Sequence, residues 1–361
     1  MKKKTVALLM TAAMTVAALG GCGDADNAGV NVSSGTEEST AGTTETDAAD
    51  GAVYKVGIVQ FVDDASLNQI EASIEKELDA KAAELGVTFN YGDYTYNGQA
   101  DSTVLNQIAS ELVASEVDVI VPIATPAAMI MQNATEENQI PVVFSAVSDP
   151  VGAGLVAGMD APGSNITGTS DALNTDAVMD LIFAADPDIE TVGLLYNKSE
   201  DSSKAPIEAA KAYCEAKGVN VIEKTGTTND EISLAADALI AGGAEAVFTP
   251  TDNTVMTAEL AIYEKFIEAG VPHYGGADSF ALNGAFLGYG VNYEELGTAT
   301  ADMIIEILVN GADPASTAVV TLDNGIATVN TETAEAIGLD YSMFADMCTA
   351  LKEIVTAEEF E

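Results

Sequence analysis

The sequence predicts an α/β protein: two doubly wound parallel-sheet, Rossmann-like domains joined by a hinge. Three observations carry this. From Tyr54 onward, short apolar runs of strand length alternate with longer stretches of helical periodicity, the pattern of a parallel sheet with helices on both faces. Glycines follow the helical stretches at Gly86, Gly218, Gly242 and Gly270, where a helix C-terminus favours a residue that tolerates positive φ. The part that can fold, 53–361, is more than one ordinary hydrophobic core holds.

The elements follow in order. Residues 54–59 read as a buried strand. Residues 66–85 read as a helix with Ile70, Ile74, Leu78, Ala82 and Leu85 on one face, and Ser66 with Gln69 has capping-box spacing. A strand over 87–94, a helix over 102–114 capped by Asp101, a strand over 117–123, a helix start over 126–133 and a strand over 140–144 complete one βαβ series. A second series runs through a helix over 175–184, a strand over 191–196 and a helix over 203–217. It continues with a strand over 219–223, a helix over 230–241, a strand over 246–250, a helix over 253–269 and a strand over 271–274. The last quarter offers a strand over 285–289, a helix over 293–309 and a late β-pair over 318–329. This divides the chain into a signal peptide (1–21), a lipidated Cys with a disordered acidic linker (22–52), an N-terminal α/β domain (53–161), a second α/β domain (162–284) and a return segment completing both (285–361). The hinge is expected near 158–166 and 281–290.

The first residues carry a separate message. Lys2, Lys3 and Lys4 precede an uncharged apolar run over 5–19. The run is about 15 residues, shorter than the roughly 20 needed to span hydrocarbon, and reads as an export signal. Leu19-Gly20-Gly21-Cys22 resembles the lipobox of bacterial lipoproteins. That resemblance implies palmitate-type diacylation of the Cys22 thiol, cleavage just before it, and an extracytoplasmic protein anchored to the cell membrane. The stretch after it is Gly, Ser, Thr, Ala, Asn, Asp and Glu with few apolar residues, a composition expected to stay disordered. As a flexible coil it reaches roughly 30 Å.

Composition excludes several functions. With 57 acidic and 13 basic residues the formal net charge is −44, which repels nucleic-acid phosphate. All the basic residues are Lys, so no bidentate guanidinium clamp on a carboxylate is available. One His, no C-x-x-C and no Gly-x-Ser-x-Gly elbow leave no metal site, cofactor or catalytic triad to propose. Cys214 and Cys348 read as free thiols rather than a disulfide framework. The chain is expected not to be an enzyme.

In open parallel sheets ligands lie outside the carboxyl ends of the strands. Gln60 stands after the first strand. Thr125, Pro126 and Ala127 stand after the third; Thr at an N-cap with Pro at N1 starts a helix whose free N–H groups favour a carboxylate. Ser145 and Asp149 follow the fourth. In the second half Asp171, Tyr196, Ser202, Asp252 and Asp278 occupy equivalent edges. Together they suit a small zwitterion, its carboxylate on helix N-termini and its ammonium on an acid from among Asp171, Asp252 and Asp278.

Three segments resemble one family. They are Ile140-Pro141-Val142-Val143-Phe144-Ser145-Ala146-Val147-Ser148-Asp149-Pro150 and its continuation to Val156, Pro162-Gly163-Ser164-Asn165-Ile166-Thr167-Gly168-Thr169-Ser170-Asp171, and Leu195-Tyr196-Asn197-Lys198-Ser199-Glu200-Asp201-Ser202. The similarity is to ABC transporter substrate-binding proteins of the tryptophan/tyrosine type. It implies the type I periplasmic-binding-protein architecture, an amino-acid-like ligand held by hinge closure, an ABC permease as partner and a monomeric receptor. The family often carries Asn where this chain has Asp201 before Ser202. The binding part of a sensor system, or a receptor for a sugar or another small metabolite, are the alternatives.

Overall fold

A computed structural model describes residues 51–322 and 325–357. The export signal, Cys22 and nearly all of the acidic linker lie outside the described residues. The first sheet draws on β1 (Val53–Gln60), α1 (Ala65–Leu85), β2 (Thr88–Asn90), β3 (Thr95–Asn97), α2 (Ser102–Ala114), β4 (Val119–Ile123), α3 (Thr125–Thr135), β5 (Val142–Phe144) and β6 (Ile166–Ser170). The second draws on α4 (Thr175–Ala185), β7 (Thr191–Tyr196), α5 (Asp201–Lys217), β8 (Asn220–Thr225), α6 (Asn229–Ala241), β9 (Ala246–Thr249), α7 (Asn253–Ala269), β10 (His273–Gly275), α8 (Asp278–Leu282) and β11 (Leu287–Gly290). The chain then continues through α9 (Tyr293–Leu308), β12 (Val320–Thr321), β13 (Ile326–Asn330), α10 (Thr331–Ile337) and β14 (Ala350–Ile354).

The first sheet has the order β12-β6-β5-β4-β1-β2, with β3 also on β1, and every pairing is parallel. The second has the order β14-β13-β11-β10-β9-β7-β8, parallel except where β11 meets β13. Central strands β1 and β4 are rich in Val and Ile, and β4, β9 and the second half of β1 are buried, as strands covered on both faces must be.

The chain passes between the two sheets three times: after Ser170, after Gly290 and after Thr321. This differs from the expected hinge positions. Residues 158–166 lead into β6, which belongs to the first sheet; Val142 pairs with Ile166, so the change of lobe comes after 170 and not at 161/162. The approach of β6 to β5 is close enough that a Cβ at Gly168 would lie 2.1 Å from the Phe144 carbonyl oxygen, which makes glycine the only residue that fits. Residues 281–290 form the end of α8 and β11 inside the second lobe. The expected late β-pair over 318–329 is split. Its first half, β12, adds to the edge of the first sheet, and its second half, β13, joins the second. The expected strand over 87–94 is cut short: β2 holds only Thr88–Asn90, a turn follows, and β3 begins beyond it at Thr95.

Helix α9 carries the returning chain onto the first lobe, where it lies against α1. Gly297 makes this possible, since a Cβ there would meet the Ile70 carbonyl oxygen at 2.6 Å. Leu296, Ala301 and Ile304 join Ile70, Ile74 and Leu78 in one buried cluster, each large apolar side chain contributing about 1.5–3 kcal/mol. That packing holds the two helix starts, Ser66 on α1 and Tyr293 on α9, beside the gap between the lobes. Cys214 and Cys348 are both free. His273 is sealed in the second lobe, 2.9 Å from Glu259 Oε1 and 2.8 Å from Thr249 Oγ1, a buried structural chain with no route for a substrate.

Candidate ligand-binding cleft

The carboxyl ends of the two sheets face each other across a small, nearly closed cavity of about 20 Å³. Every contributing segment begins just past a strand. The first lobe supplies Ser66 and Leu67 after β1, Ala124 and Thr125 after β4, Ala146 and Ser148 after β5, and Asp171 at the crossing after β6. The second supplies Ser202 after β7, Thr251, Asn253 and Met256 after β9, and Ala277 after β10. Tyr293 enters from the first residue of α9.

Two wall positions hold unusual backbone. Ala124 and Ala146 have φ of 80° and 54°, conformations costing a non-glycine residue about 1–3 kcal/mol. Ala124 is the N-cap of α3 and offers no side-chain cap, so Thr125 is the first helical residue and not the cap expected from the sequence. The helix start is left with free N–H groups beside the cavity. The Thr125 hydroxyl, buried, finds no hydrogen-bond partner among the described residues. A buried hydroxyl left unpaired costs about 1–3 kcal/mol, and here it stands with free N–H donors where an incoming acceptor would satisfy both.

Hydroxyls and acids join the lobes. The Ser148 hydroxyl donates to Asp171 Oδ1 at 2.9 Å and so accepts from Thr251 Oγ1, of the other lobe, at 2.8 Å. The Ser66 hydroxyl donates to Asp278 Oδ1 at 2.7 Å and accepts from the Ser279 N–H at 3.3 Å, again from lobe to lobe. Burial pushes the Asp171 carboxyl up to about 6, against the Ser148 hydrogen bond that lowers it. Asp64, capping α1 through the Ser66 and Leu67 N–H groups, is pushed up to about 7 by burial and further by nearby Asp278. Burial also raises Asp278. The Tyr293 phenol is held neutral, first by burial and then by the charges of Asp171, Asp278 and Asp64. No lining residue among those described is basic.

Of the residues proposed from the sequence, Thr125, Asp171 and Ser202 line the cavity, and Asp278 borders it through Ser66. The others are drawn elsewhere. The Gln60 amide is spent on Val62 O and Asn68 Oδ1. The Ala127 side chain, two residues past Thr125, is fully buried, while its N–H is among those that the start of α3 leaves free. Ser145 points into the first lobe, bonded to Thr169 and Thr300 hydroxyls at 3.2 and 2.9 Å. Asp149 caps a turn by accepting the Gly152 N–H. Tyr196 donates to Glu223 at the rim of the second sheet. Asp252 caps α7 and takes the Asn197 N–H and Ser203 hydroxyl, each at 2.6 Å; burial and then the charge of Glu200 push its carboxyl above the ordinary range. Its job is to hold three segments together. The Ser66–Gln69 capping box is replaced by Asp64. Sequence reasoning missed Asp64, Ser66, Leu67, Ser148, Thr251, Asn253, Met256 and Tyr293 as site residues. All sit in segments that follow strands, Met256 and Tyr293 within the helices that start there.

A model of the ABC transporter substrate binding protein family matches residues 55–343. The chain belongs to that family. Its resemblance to the tryptophan/tyrosine type holds at the level of relatives. It is 30% identical, over 338 residues and 93% of both chains, to a tyrosine-binding protein of Clostridioides difficile. Among solved structures, an ABC domain from Streptococcus pneumonia in complex with L-Trp shares 30% identity and a TM-score of 0.76, covering 83% of this chain and 100% of that one. A ligand-free, open substrate-binding protein with adhesive properties from Clostridium difficile shares 31% identity with a TM-score of 0.64, covering 84% and 100%. The two sheets with three crossings are the type I periplasmic-binding-protein architecture of this substrate-binding protein family. The family is one of binding proteins, not of catalysts. No helix among the described residues is long and apolar enough to cross a membrane.

Proposed function

We propose that this chain is the extracytoplasmic solute receptor of an ABC importer, binding an aromatic amino acid such as tyrosine or tryptophan between its lobes and presenting it to a membrane permease. It acts as a monomer, held to the membrane by lipid on Cys22, and uses no cofactor. One observation carries the ligand class. A single buried cavity has on one side the uncapped start of α3 with the unpartnered Thr125 hydroxyl, and on another the buried Asp171 carboxyl with no basic partner. The first suits a carboxylate and the second an ammonium. Leu67, Met256 and Tyr293 provide an apolar wall for a side chain. The absence of Arg throughout agrees with a carboxylate held by backbone and hydroxyl groups.

Hinge closure is supported by the three crossing segments and by the hydrogen bonds between lobes, Ser66 to Asp278 and Thr251 to Ser148. At nearly equal identity, the L-Trp complex overlays better than the open, ligand-free relative, which supports reading this lobe arrangement as the closed one. The test is a thermal-melting screen over the amino acids and simple sugars. A ligand at 100 times its Kd adds about 2.7 kcal/mol, roughly 5 °C for a chain of this size. A shift with L-tyrosine or L-tryptophan and none with sugars is expected. A shift with sugars alone overturns the amino-acid reading.

A further inference from the structure

Among the described residues, Met256 is the one long, unbranched side chain on the cavity wall. Apart from Leu67 and Tyr293, the residues around it are Ser, Thr, Ala, Asp and Asn. Met256 and Leu67 are buried at 4% exposure and Tyr293 at 3%. Leu67 is branched and the Tyr293 ring is rigid, whereas methionine turns about three side-chain bonds and carries a polarizable sulfur. The cavity, at about 20 Å³, is little larger than one water needs. An aromatic side chain therefore enters only where a wall yields. Met256 can yield without moving the backbone, because Asp252 caps the first turn of α7 and its carbonyl accepts the Met256 N–H at 2.9 Å.

The thioether is held by the next helix of its own lobe. The Ser279 hydroxyl of α8, fully buried, donates to Met256 Sδ at 2.7 Å. Ser279 is in turn held by the first lobe, its N–H donating to the Ser66 hydroxyl at 3.3 Å. The Ser279 hydroxyl also reaches the Asp64 carboxyl of the first lobe. A hydroxyl has one proton, so the thioether and the carboxyl compete for it. When the thioether turns away, Asp64 accepts in its place and no buried hydroxyl is left unpaired. Asp64 belongs to the first lobe, so this second acceptor is at hand only while the lobes are together.

We propose that Met256 is a movable wall that sets which side chains the cleft accepts, and that Ser279 is the positioning residue that latches it. This rests on the amino-acid reading of the cleft and adds to it a determinant of side-chain size. With the thioether on Ser279 the pocket stays shallow. With the thioether turned aside, the space it leaves joins the cavity, and the sulfur packs on the edge of the incoming ring. The indole of tryptophan asks more room of this wall than the phenol of tyrosine. Residue 256 therefore acts on the ratio of their affinities and not equally on both.

The experiment is isothermal titration of the folded protein and its variants with L-tyrosine and L-tryptophan, read as the ratio of the two affinities. Met256→Ala removes the wall and is expected to raise the ratio in favour of tryptophan by about tenfold or more, the effect of a few methylenes in an apolar pocket. Met256→Ile keeps the volume but is stiff at χ1 in a helix, and is expected to lower the ratio by about tenfold or more. It carries the test alone should Met256→Ala fail to fold. Ser279→Ala frees the thioether and is expected to raise the ratio by about threefold. In the double variant of Met256→Ala with Ser279→Ala the ratio should equal that of Met256→Ala alone, because Ser279 acts through Met256. A merely structural role weakens both ligands by one common factor and leaves the ratio alone. A wild-type ratio in the Met256 variants overturns the proposal and leaves the amino-acid reading standing. A wild-type ratio in Ser279→Ala, or a further shift in the double variant, overturns the positioning role of Ser279. No binding of either amino acid by the wild type overturns both readings.

Discussion

Ser148 of the first lobe and Thr251 of the second share a hydrogen bond of 2.8 Å, and the same Ser148 hydroxyl donates to Asp171 at 2.9 Å. One hydroxyl thus connects the lobe contact to the acid on the cavity wall. Removing the charge of that acid should affect the ligand far more than the fold. Asp171→Asn keeps an acceptor for Ser148 and is expected to weaken an amino acid by about 2–5 kcal/mol if its ammonium pairs there. Titration calorimetry at pH 7.5 checks this; unchanged affinity takes Asp171 out of the site.

Thr125→Val is expected to separate stability from binding. The wild-type hydroxyl is buried without a partner, so replacing it with a methyl should leave the unliganded protein as stable or up to about 1 kcal/mol more stable. Ligand affinity should fall about tenfold through loss of one carboxylate contact. Urea melts with and without L-tryptophan read both effects, and a loss of stability with full affinity contradicts the assignment.

Asp252→Ala should do the reverse. This carboxylate joins the start of α7 to Asn197 and Ser203 and does not line the cavity. Loss of the cap and two buried hydrogen bonds costs about 2–4 kcal/mol. A shifted urea midpoint with unchanged slope, and near wild-type affinity for whatever remains folded, is the expected result.

The unliganded protein should lose stability as pH rises from about 5 to 8. Asp64 and Asp171 are raised to about 7 and about 6 in the folded protein, so the folded state binds more protons than the unfolded chain in this window. Their stabilisation is complete below the unfolded carboxyl value and is lost through the folded values. The self-repulsion of a chain carrying −44 acts in the same direction. Tm measured across the window should drop by several degrees, and Asp64→Asn should flatten the upper half of the curve. A Tm that rises with pH excludes the burial of these acids.

Cys22→Ser is expected to release the protein into the medium with ligand affinity unchanged. Fractionation of cells and medium, followed by titration of the soluble form, reads both outcomes; retention on the membrane rules out lipid on this residue as the anchor.

Strand–helix alternation was legible because buried parallel strands demand continuous Val and Ile runs, as in 119–121 of β4. Short elements were not: α8 has five residues, too few to show a period, and β14 is half exposed. Thr125 was visible through Thr-Pro, although its role as cap passed to Ala124, whose positive φ no pattern announces. Ser145 and Ser148 show the limit best. They lie three residues apart after one strand, and which hydroxyl meets the cavity depends on the backbone turn at Ala146, with φ of 54°. Tyr293 reaches the wall because α9 crosses back to the first lobe, a tertiary fact that local sequence does not hold. Ser66 and Asp64 exchanged roles for a similar reason, since the Ser66 hydroxyl is claimed by an acid 212 residues away.

Asp171 is the first residue after β6 as the chain leaves the first sheet, and Tyr293 begins α9 just after it leaves the second. Two of the groups that line the cavity are therefore mounted on the joints themselves. If the proposed hinge closure holds, selectivity and mobility are not separable properties of this fold. A substitution that stiffens residues 171–174 or 291–292 will also redirect a wall of the cavity, so any search for a new ligand preference should randomise the joints as well as the walls.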